Sequence, residues 1–262
     1  MRAIDSDLGW RMSLRLNESG RCTRRPDTRA TPLVGVAVIA VLLSGSPASA
    51  QVRVHPRSFG FWAAAGVSVA AAALLDERAR TTTLDHRSGL ATTFADAGNA
   101  MGTGRNIIAG LAITYLGARL THHRRTADAV LRVAAGYAVS NAMVGLLKPM
   151  VGRHRPDSTN DAWRFRPFSA QGAMHSFPSS HAVHAFSLAT GLSIATRRSW
   201  VGALGYSGAT VVAWSRLYDD QHWASDVTTS AVIGIATAAT TMDWLDRRFP
   251  RDTSRREQST PR

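Results

Sequence analysis

The chain has very little cysteine and very little lysine. Its only cysteine is Cys22, so no disulfide can form within one chain. Its only lysine is Lys148, although lysine and arginine together number 31. Because lysine carries a compact, rotatable ammonium that the planar guanidinium of arginine does not replace, the position of this residue marks a candidate site.

The sequence also lacks a single basic face. The formal net charge is +13, but residues 1–30, residues 148–167 and the last seventeen residues each carry an excess of about three positive charges. A nucleic-acid-binding protein more often gathers its cations on one surface with interleaved aromatics. The charge distribution therefore argues against a nucleic-acid partner.

Strand-like alternation and internal repeats are absent, and helix-length apolar segments take their place. Most of these segments are rich in Ala, Gly, Ser and Thr, the small residues that let helices pack closely. They lie at residues 59–75, 105–117, 129–147, 181–196, 200–214 and 227–245. They predict an all-α bundle of about six helices, membrane-embedded, with its active site at one end. The mean hydropathy of −0.09 is low for such a protein.

Composition divides the chain into three parts. Residues 1–50 join a basic segment, the apolar run Leu33–Leu43 and an Ala-x-Ala end, which is typical of a secretory signal. An uncleaved membrane anchor is the alternative. We expect residues 51–246 to form one helical domain and residues 247–262 to form a basic, disordered tail.

The first of three polar clusters holds Lys148 and Arg155, seven residues apart. We expect Pro149 to stop the preceding helix and Pro156 to extend the chain after Arg155. Two cations on a restrained turn can clamp a phosphate, and the guanidinium can do so bidentately. A basic turn at a membrane surface explains the same residues without chemistry.

The second cluster is Ser179, Ser180 and His181, immediately before a helix. The serines can cap that helix, or they can help its N-terminus bind an anion. His181 could then give a proton to a leaving oxygen. His184, one turn on, belongs either to the core or to the support of the site.

The third cluster is Arg216, His222 and Asp226. If residues 222–226 are helical, the imidazole and the carboxylate share one face. The carboxylate would fix the tautomer and leave the other ring nitrogen free to attack or to accept a proton. A satisfied His–Asp pair near a helix start is the alternative.

A metal site has little support in the sequence. His122 and His123 are adjacent, but no third ligand stands at a supporting spacing, so we interpret them as part of a solvated loop.

Taken together, the clusters resemble the phosphatidic acid phosphatase type 2 family, which shares its core with vanadium haloperoxidases and class A acid phosphatases. The family pattern is Lys-x6-Arg-Pro, Pro-Ser-Gly-His and Ser-Arg-x5-His-x3-Asp. The matching residues are Lys148, Arg155, Pro156, Pro178, Ser179, His181, Ser215, Arg216, His222 and Asp226. Ser180 stands where the family usually has glycine; it keeps the backbone N–H but adds a side chain to the floor of the pocket.

The resemblance implies a metal-independent phosphohydrolase that needs no cofactor. His222 would attack phosphorus to form a phosphohistidine, Asp226 would orient it, and His181 would protonate the leaving oxygen. The phosphate would be held by Lys148, Arg155, Ser179, Ser180 and Arg216. The alternatives are a soluble periplasmic acid phosphatase, a vanadium-dependent haloperoxidase and a non-catalytic membrane protein with a relic site.

The motifs contact only phosphate, so they do not name the substrate. A membrane setting favours a lipid phosphate or diphosphate, and the aromatics Trp163, Phe165, Phe168 and Phe177 could line an entrance for its chains. We expect a bacterial envelope protein whose site faces the exterior. This sidedness requires one of the first three apolar segments not to span, and residues 105–117 are the shortest.

Overall fold

The computed structural model describes residues 56–250, which contain eight α-helices, two short 3₁₀ turns and no strand. The all-α prediction is therefore confirmed. The helices are α1 (Phe59–Leu74), α2 (Asp76–Asp85), α3 (Gly89–Gly102), α4 (Gly104–Leu120), α5 (Arg124–Val151), α6 (Ser180–Thr196), α7 (Ser199–Tyr218) and α8 (Ala224–Arg248). The 3₁₀ turns are Pro156–Ser158 and Gly172–Met174. The proposed signal and most of the basic tail lie outside the described residues.

Six of the eight helices, α1 and α4 to α8, run along the bundle. Asp76, just after α1, bonds Ser225 at the start of α8, whereas Arg57, just before α1, pairs with Asp243 near the end of α8. The site end of the bundle is defined by Asp76, Val151, Ser180, Tyr218 and Ala224, and the far end by Arg57, Arg124, Thr196, Ser199 and Arg248. Helices α2 and α3 lie at the site end, which is why the bundle holds more than six helices.

Helix α6 lies at the centre, packed against α5, α7 and α8. The cluster of buried apolar residues at its core consists mainly of alanines together with Phe186, Tyr206 and Ile235. At Gly234 of α8, an added Cβ would lie 2.7 Å from the Val183 carbonyl oxygen of α6. Small side chains therefore set the close approach of these two helices, as their abundance in the sequence predicts.

The end of α5 differs from the sequence prediction. Helix α5 continues through Pro149 to Val151 and ends at Gly152, whose φ of 60° is left-handed. Proline in the last turn removes only one intrahelical hydrogen bond, so the helix tolerates it there. The stop is provided by glycine, which adopts the left-handed conformation without steric cost.

Among the described residues, α5 alone is long and apolar enough to cross a membrane as a single helix. Helices α1 and α2 pass the same test only as one segment, bent by 61° at Leu75.

Candidate active site

The three polar clusters of the sequence converge at the site end. Lys148 interacts electrostatically with Arg155, Arg216 and Asp226. His181 does so with Arg216 and with His222. Residues separated by up to 78 positions in the chain therefore face one pocket.

Lys148 reaches the pocket from the last turn of α5. Its Nζ donates a hydrogen bond to the carbonyl oxygen of His175, at 2.7 Å. That carbonyl belongs to the loop that leads to α6, so one ammonium proton fixes the loop. An ammonium has three donors, which leaves two for other acceptors.

Arg155 and Arg216 are each tethered by one edge of the guanidinium. Arg155 donates to the side-chain oxygen of Gln221. Arg216 donates to the side-chain oxygen of Asn99, and to Asp219 at 3.2 Å. The tethers orient both guanidinium groups without neutralising Arg155.

Both arginines also carry a buried donor with no hydrogen-bond partner. Within residues 56–250 the only buried side-chain atoms in this state are Arg155 Nε, Arg216 Nε and a threonine hydroxyl. An unpaired buried donor costs about 1–3 kcal/mol, and native structures contain few of them. Two such donors on neighbouring cations suit an oxyanion with several acceptor oxygens.

The second cluster forms the N-terminus of α6. Ser179 is its N-cap, and the Ser179 hydroxyl accepts a long hydrogen bond, 3.5 Å, from the Ala182 amide. The Ser179 amide instead donates to Ser230 Oγ at 2.7 Å, so this N–H is already used inside the protein. Ser180 is the first helical residue and half-buried, and helix geometry leaves its N–H without an intrahelical acceptor.

His181 lies in the first turn of α6, against the end of α3. A Cβ added at Gly102 would come within 3.0 Å of the His181 ring, so glycine there makes room for the imidazole. Arg216 interacts electrostatically with His181. A bound phosphate dianion would oppose the arginine, because opposite charges favour the protonated imidazole.

His222 lies just before α8 and not within it, so the expected shared helix face with Asp226 is wrong in detail. Helix α8 begins at Ala224. His222 Nδ1 lies 2.6 Å from the Ser176 carbonyl oxygen and 3.9 Å from the nearer oxygen of Asp226. Since a carbonyl only accepts, Nδ1 carries the proton and Nε2 keeps a lone pair for attack.

Asp226 acts on His222 across this distance and through Ser176. Ser176 Oγ donates to Asp226 Oδ2 at 2.5 Å, and the Trp223 amide donates to the same oxygen at 2.9 Å. Asp226 is fully buried, and it also pairs with Arg153. A buried carboxylate beside the ring would stabilise the positive charge that the imidazole gains when Nε2 forms a bond.

Sequence reasoning missed Arg153, Asp76, Ser176 and Asn99. Arg153 is buried, and it donates to Asp226 Oδ1 at 2.6 Å and to Asp76 Oδ2 at 2.7 Å. Nothing in the sequence separates Arg153 from the other arginines. Its partner Asp76 lies 77 residues upstream, at a helix junction that no motif marks.

The remaining polar candidates lie beside the pocket. His184 Nε2 is 3.0 Å from Asn141 Oδ1, which makes His184 a buried bridge between α5 and α6. Asp219 pairs with Arg216, but Asp220 pairs with Arg80 of α2 at 2.6 Å. Asp219, and not Asp220, is therefore the aspartate in contact with Arg216.

The aromatics of the site loop do not all behave alike. Trp163 and Phe168 expose 61% and 81% of their surfaces. Phe165 lies against Arg153, with 5.5 Å between the guanidinium carbon and the ring centre. Phe177 is half-buried. An entrance for lipid chains remains a prediction for the exposed pair.

The pocket therefore combines an oriented imidazole, a second imidazole and three cations around one space. Such an arrangement can hold a phosphoryl group, accept it on Nε2 of His222 and supply a proton to the leaving oxygen.

Comparison with known proteins agrees with this geometry. Residues 129–250 match the model of the PAP2 superfamily. The lipid A 1-phosphatase of Porphyromonas gingivalis is 36% identical over 104 residues, which are 39% of this chain and 20% of that protein. The chain spans between a fifth and just over half of the length of the curated relatives that it matches.

Two solved structures share the fold. LpxE of Aquifex aeolicus has a TM-score of 0.53 and 20% identity, over 64% of this chain and 95% of that one. The transmembrane PAP2 type phosphatidylglycerolphosphate phosphatase of Bacillus subtilis has a TM-score of 0.52 and 18% identity, over 84% and 96%. The part of this chain that carries all three polar clusters, residues 129–250, is therefore the part that matches the PAP2 superfamily.

Proposed function

We propose that this protein hydrolyses the phosphate ester or diphosphate of a lipid through a phosphohistidine on His222. The observation that carries the proposal is the pair of buried, unpartnered donors on Arg155 and Arg216, beside an imidazole whose tautomer is fixed. The relatives named as phosphatases support the reaction class.

In the first half-reaction, Nε2 of His222 forms a bond to phosphorus while the bond from phosphorus to the ester oxygen breaks. The leaving oxygen takes its proton from His181. Lys148, Arg155 and Arg216 surround the three remaining phosphoryl oxygens, where the transition-state charge resides. Ser180 and the first N–H groups of α6 add the positive end of a helix.

In the second half-reaction, water attacks the phosphohistidine and His181 takes the proton. The N–P bond breaks, and inorganic phosphate leaves with neutral His222 restored. The Ser176 carbonyl and Asp226 keep Nδ1 protonated throughout, so Nε2 serves both as the nucleophile and as the leaving group.

The surface of the bundle supports a lipid setting. Large apolar side chains are exposed along its sides, which is unusual for a protein surrounded by water. They include Val67, Ile108, Ile113, Leu116, Leu131, Leu146, Leu204 and Trp244. We place the bundle in the bacterial cell membrane.

The site would then face the exterior. Exposed arginines gather at the far end of the bundle, and such residues favour the cytoplasmic side. They are Arg57, Arg119, Arg124, Arg125, Arg197, Arg198, Arg247 and Arg248. At the site end, Lys148, Arg153, Arg155 and Arg216 are directed into the pocket or its support. The exposed arginines there are fewer, namely Arg78, Arg87, Arg105, Arg164 and Arg166.

The test is phosphate release from a panel of lipid and soluble phosphates, with purified protein in EDTA. We expect a lipid phosphate or diphosphate to be hydrolysed and the His222→Ala variant to be inactive. The reaction with labelled substrate can also be quenched briefly in acid or in base. We expect the wild-type protein to keep the labelled phosphate only in base, because phosphohistidine is acid-labile. Activity that survives His222→Ala would contradict the proposal.

A further inference from the structure

Behind His222, Asp226 belongs to a buried chain of charged groups whose other members have no role in the proposed reaction. Arg153 joins two carboxylates, Asp76 from the junction of α1 and α2 and Asp226 from the first turn of α8. The side chains of Arg153, Asp76 and Asp226 expose only 5%, 1% and 0% of their surface. Burying three charges is costly, so their arrangement calls for an explanation beyond stability.

Each carboxylate of this chain fixes a different part of the site. Asp76 accepts from the amide of Ser225 at 2.8 Å and from its hydroxyl at 2.6 Å, which holds the start of α8 two residues after the Trp223 N-cap. Asp226 accepts from Ser176, whose carbonyl orients His222.

Arg153 couples these two parts. One guanidinium nitrogen, NH1, donates to both Asp226 and Ser225, at 2.6 and 2.7 Å. The other, NH2, donates to Asp76 and to the Ala162 carbonyl, at 2.7 and 2.8 Å. A planar fork can satisfy both carboxylates at once, whereas a lysine ammonium would reach only one of them.

We propose that Arg153 and Asp76 are positioning residues for His222, acting through Asp226 and Ser176. The inference rests on the proposed function and extends the site to α2, which lies outside the segment that matches the family. With both carboxylates ionised, the chain carries one surplus negative charge. That charge faces the imidazole while the ring carries a bond to phosphorus and is positive.

The variants are Arg153→Lys, Arg153→Met and Asp76→Asn. Arg132→Met is the matched control, because Arg132 is also largely buried and donates to Asp246 and to the Phe249 carbonyl, at 3.0 and 2.6 Å, but at the far end. Each protein is first compared with wild type by thermal unfolding.

We expect Arg153→Lys and Asp76→Asn to lower kcat by about tenfold or more, the usual effect of removing a group that supports a site residue. Affinity for inorganic phosphate, measured as a competitive inhibitor, should stay within about threefold, because the phosphate cradle is untouched. Arg132→Met should lose stability while it keeps kcat. Wild-type kcat in folded Arg153→Lys and Asp76→Asn would overturn the inference.

A second readout does not depend on turnover. The charged groups that face His222 are Asp226, Lys148, Arg216 and His181. Loss of the Arg153 cation should raise the pKa of His222, and loss of the Asp76 anion should lower it, each by about 0.5 unit or more. Histidine NMR in detergent, with the resonance assigned by His222→Gln, measures both shifts.

The two readouts separate the inference from the proposed function. If the wild type is inactive but Arg153→Met and Asp76→Asn shift the His222 pKa in these opposite directions, the proposed phosphatase is refuted and the positioning network is supported. An active wild type whose variants shift neither kcat nor the His222 pKa refutes the network alone. Shifts of the same sign in both variants would also refute it.

Discussion

His222 is surrounded by groups that act on its charge in opposite senses. Burial lowers its pKa to about 4, although Asp226 opposes the shift. A lowered pKa keeps the imidazole neutral, and therefore nucleophilic, at every pH well above that value. Below it the ring is protonated and cannot attack.

The lower limb of the profile of kcat/KM against pH should therefore fall near pH 4, well below the ordinary histidine value of about 6.5. The limb could also arise from ionisation of the substrate, so the profile is measured with two substrates whose phosphates differ in their second pKa. A limb at the same pH for both substrates reports a group of the protein. A fixed limb at about pH 6.5 would contradict the burial of His222.

Lys148 should not be replaceable by arginine. Its Nζ fits between the His175 carbonyl and the pocket, and a guanidinium is larger and planar. We expect Lys148→Arg to lower kcat/KM by about tenfold or more, measured by steady-state phosphate release. Arg198→Lys at the far end is the control, and equal effects of the two changes would contradict a specific role for the ammonium.

At the level of single residues, the sequence was informative where reactive side chains stand at the fixed spacing of a motif. The spacing identified Lys148, Arg155, His181 and His222 as candidate site residues, because each lies at the edge of an apolar helix. It could not reveal how Ser176 orients the His222 ring, because that contribution is a backbone carbonyl. Any residue type supplies that group, so no side-chain pattern encodes it.

Among the elements, the loop between α5 and α6 depends most on one residue. Gly152 adopts a left-handed φ of 60°, and a Cβ there would lie 1.8 Å from the carbonyl oxygen of Arg166. The Arg166 amide in turn donates to the Gly152 carbonyl at 2.7 Å. The loop that carries Arg153 and Arg155 therefore packs so closely on Gly152 that no side chain fits there.

Gly152→Ala should lower the free energy of unfolding by about 1–3 kcal/mol through strain, and more if the loop must move. Gly145→Ala is the control, because an added Cβ there meets nothing within 4 Å and alanine favours a helix. Denaturant unfolding measures both. Similar losses of stability in the two variants would contradict the role of the close contact.

The ends of elements were the weakest part of the sequence prediction. Proline suggested that α5 stops at Pro149, but the hydrogen bond that it removes lies in a turn already close to its end. Likewise, the spacing of His222 and Asp226 suggested one helix face, whereas Asp226 instead bonds the Trp223 amide at the helix start. The sequence patterns identified the right residues but not the secondary structure in which these residues lie.

For the whole molecule, the number and type of long helices followed from apolar segment length. The layer formed by α2 and α3 did not, because residues 81–104 are polar and their packing on α7 depends on tertiary contacts such as that between Asn99 and Arg216.

The direction of α1 also constrains how the chain enters a membrane. Helix α1 begins at the end opposite the site, as the pair between Arg57 and Asp243 requires. If the site faces the exterior and α1 spans, residues just before α1 lie in the cytoplasm. A cleaved secretory signal, or the same segment kept as a membrane anchor, would deliver them to the other side. Either form of that prediction therefore excludes an exterior site in a spanning bundle.

Cysteine labelling decides between them. In a Cys22→Ser background, Phe168→Cys reports on the site end and Ser199→Cys on the far end, both at exposed positions. We expect an impermeant maleimide to label Phe168→Cys in intact spheroplasts and Ser199→Cys only after permeabilisation. The reverse pattern would place the pocket in the cytoplasm, and labelling of both would indicate a soluble periplasmic bundle.

The single lysine has a practical consequence. Apart from the α-amino group, the one primary amine of the polypeptide points into the pocket, with its Nζ held at the His175 carbonyl. An acylating or reductively alkylating reagent would therefore tag the protein at the catalytic centre, and inorganic phosphate would shield it. Occupancy of the pocket can thus be followed by intact mass, without a known substrate.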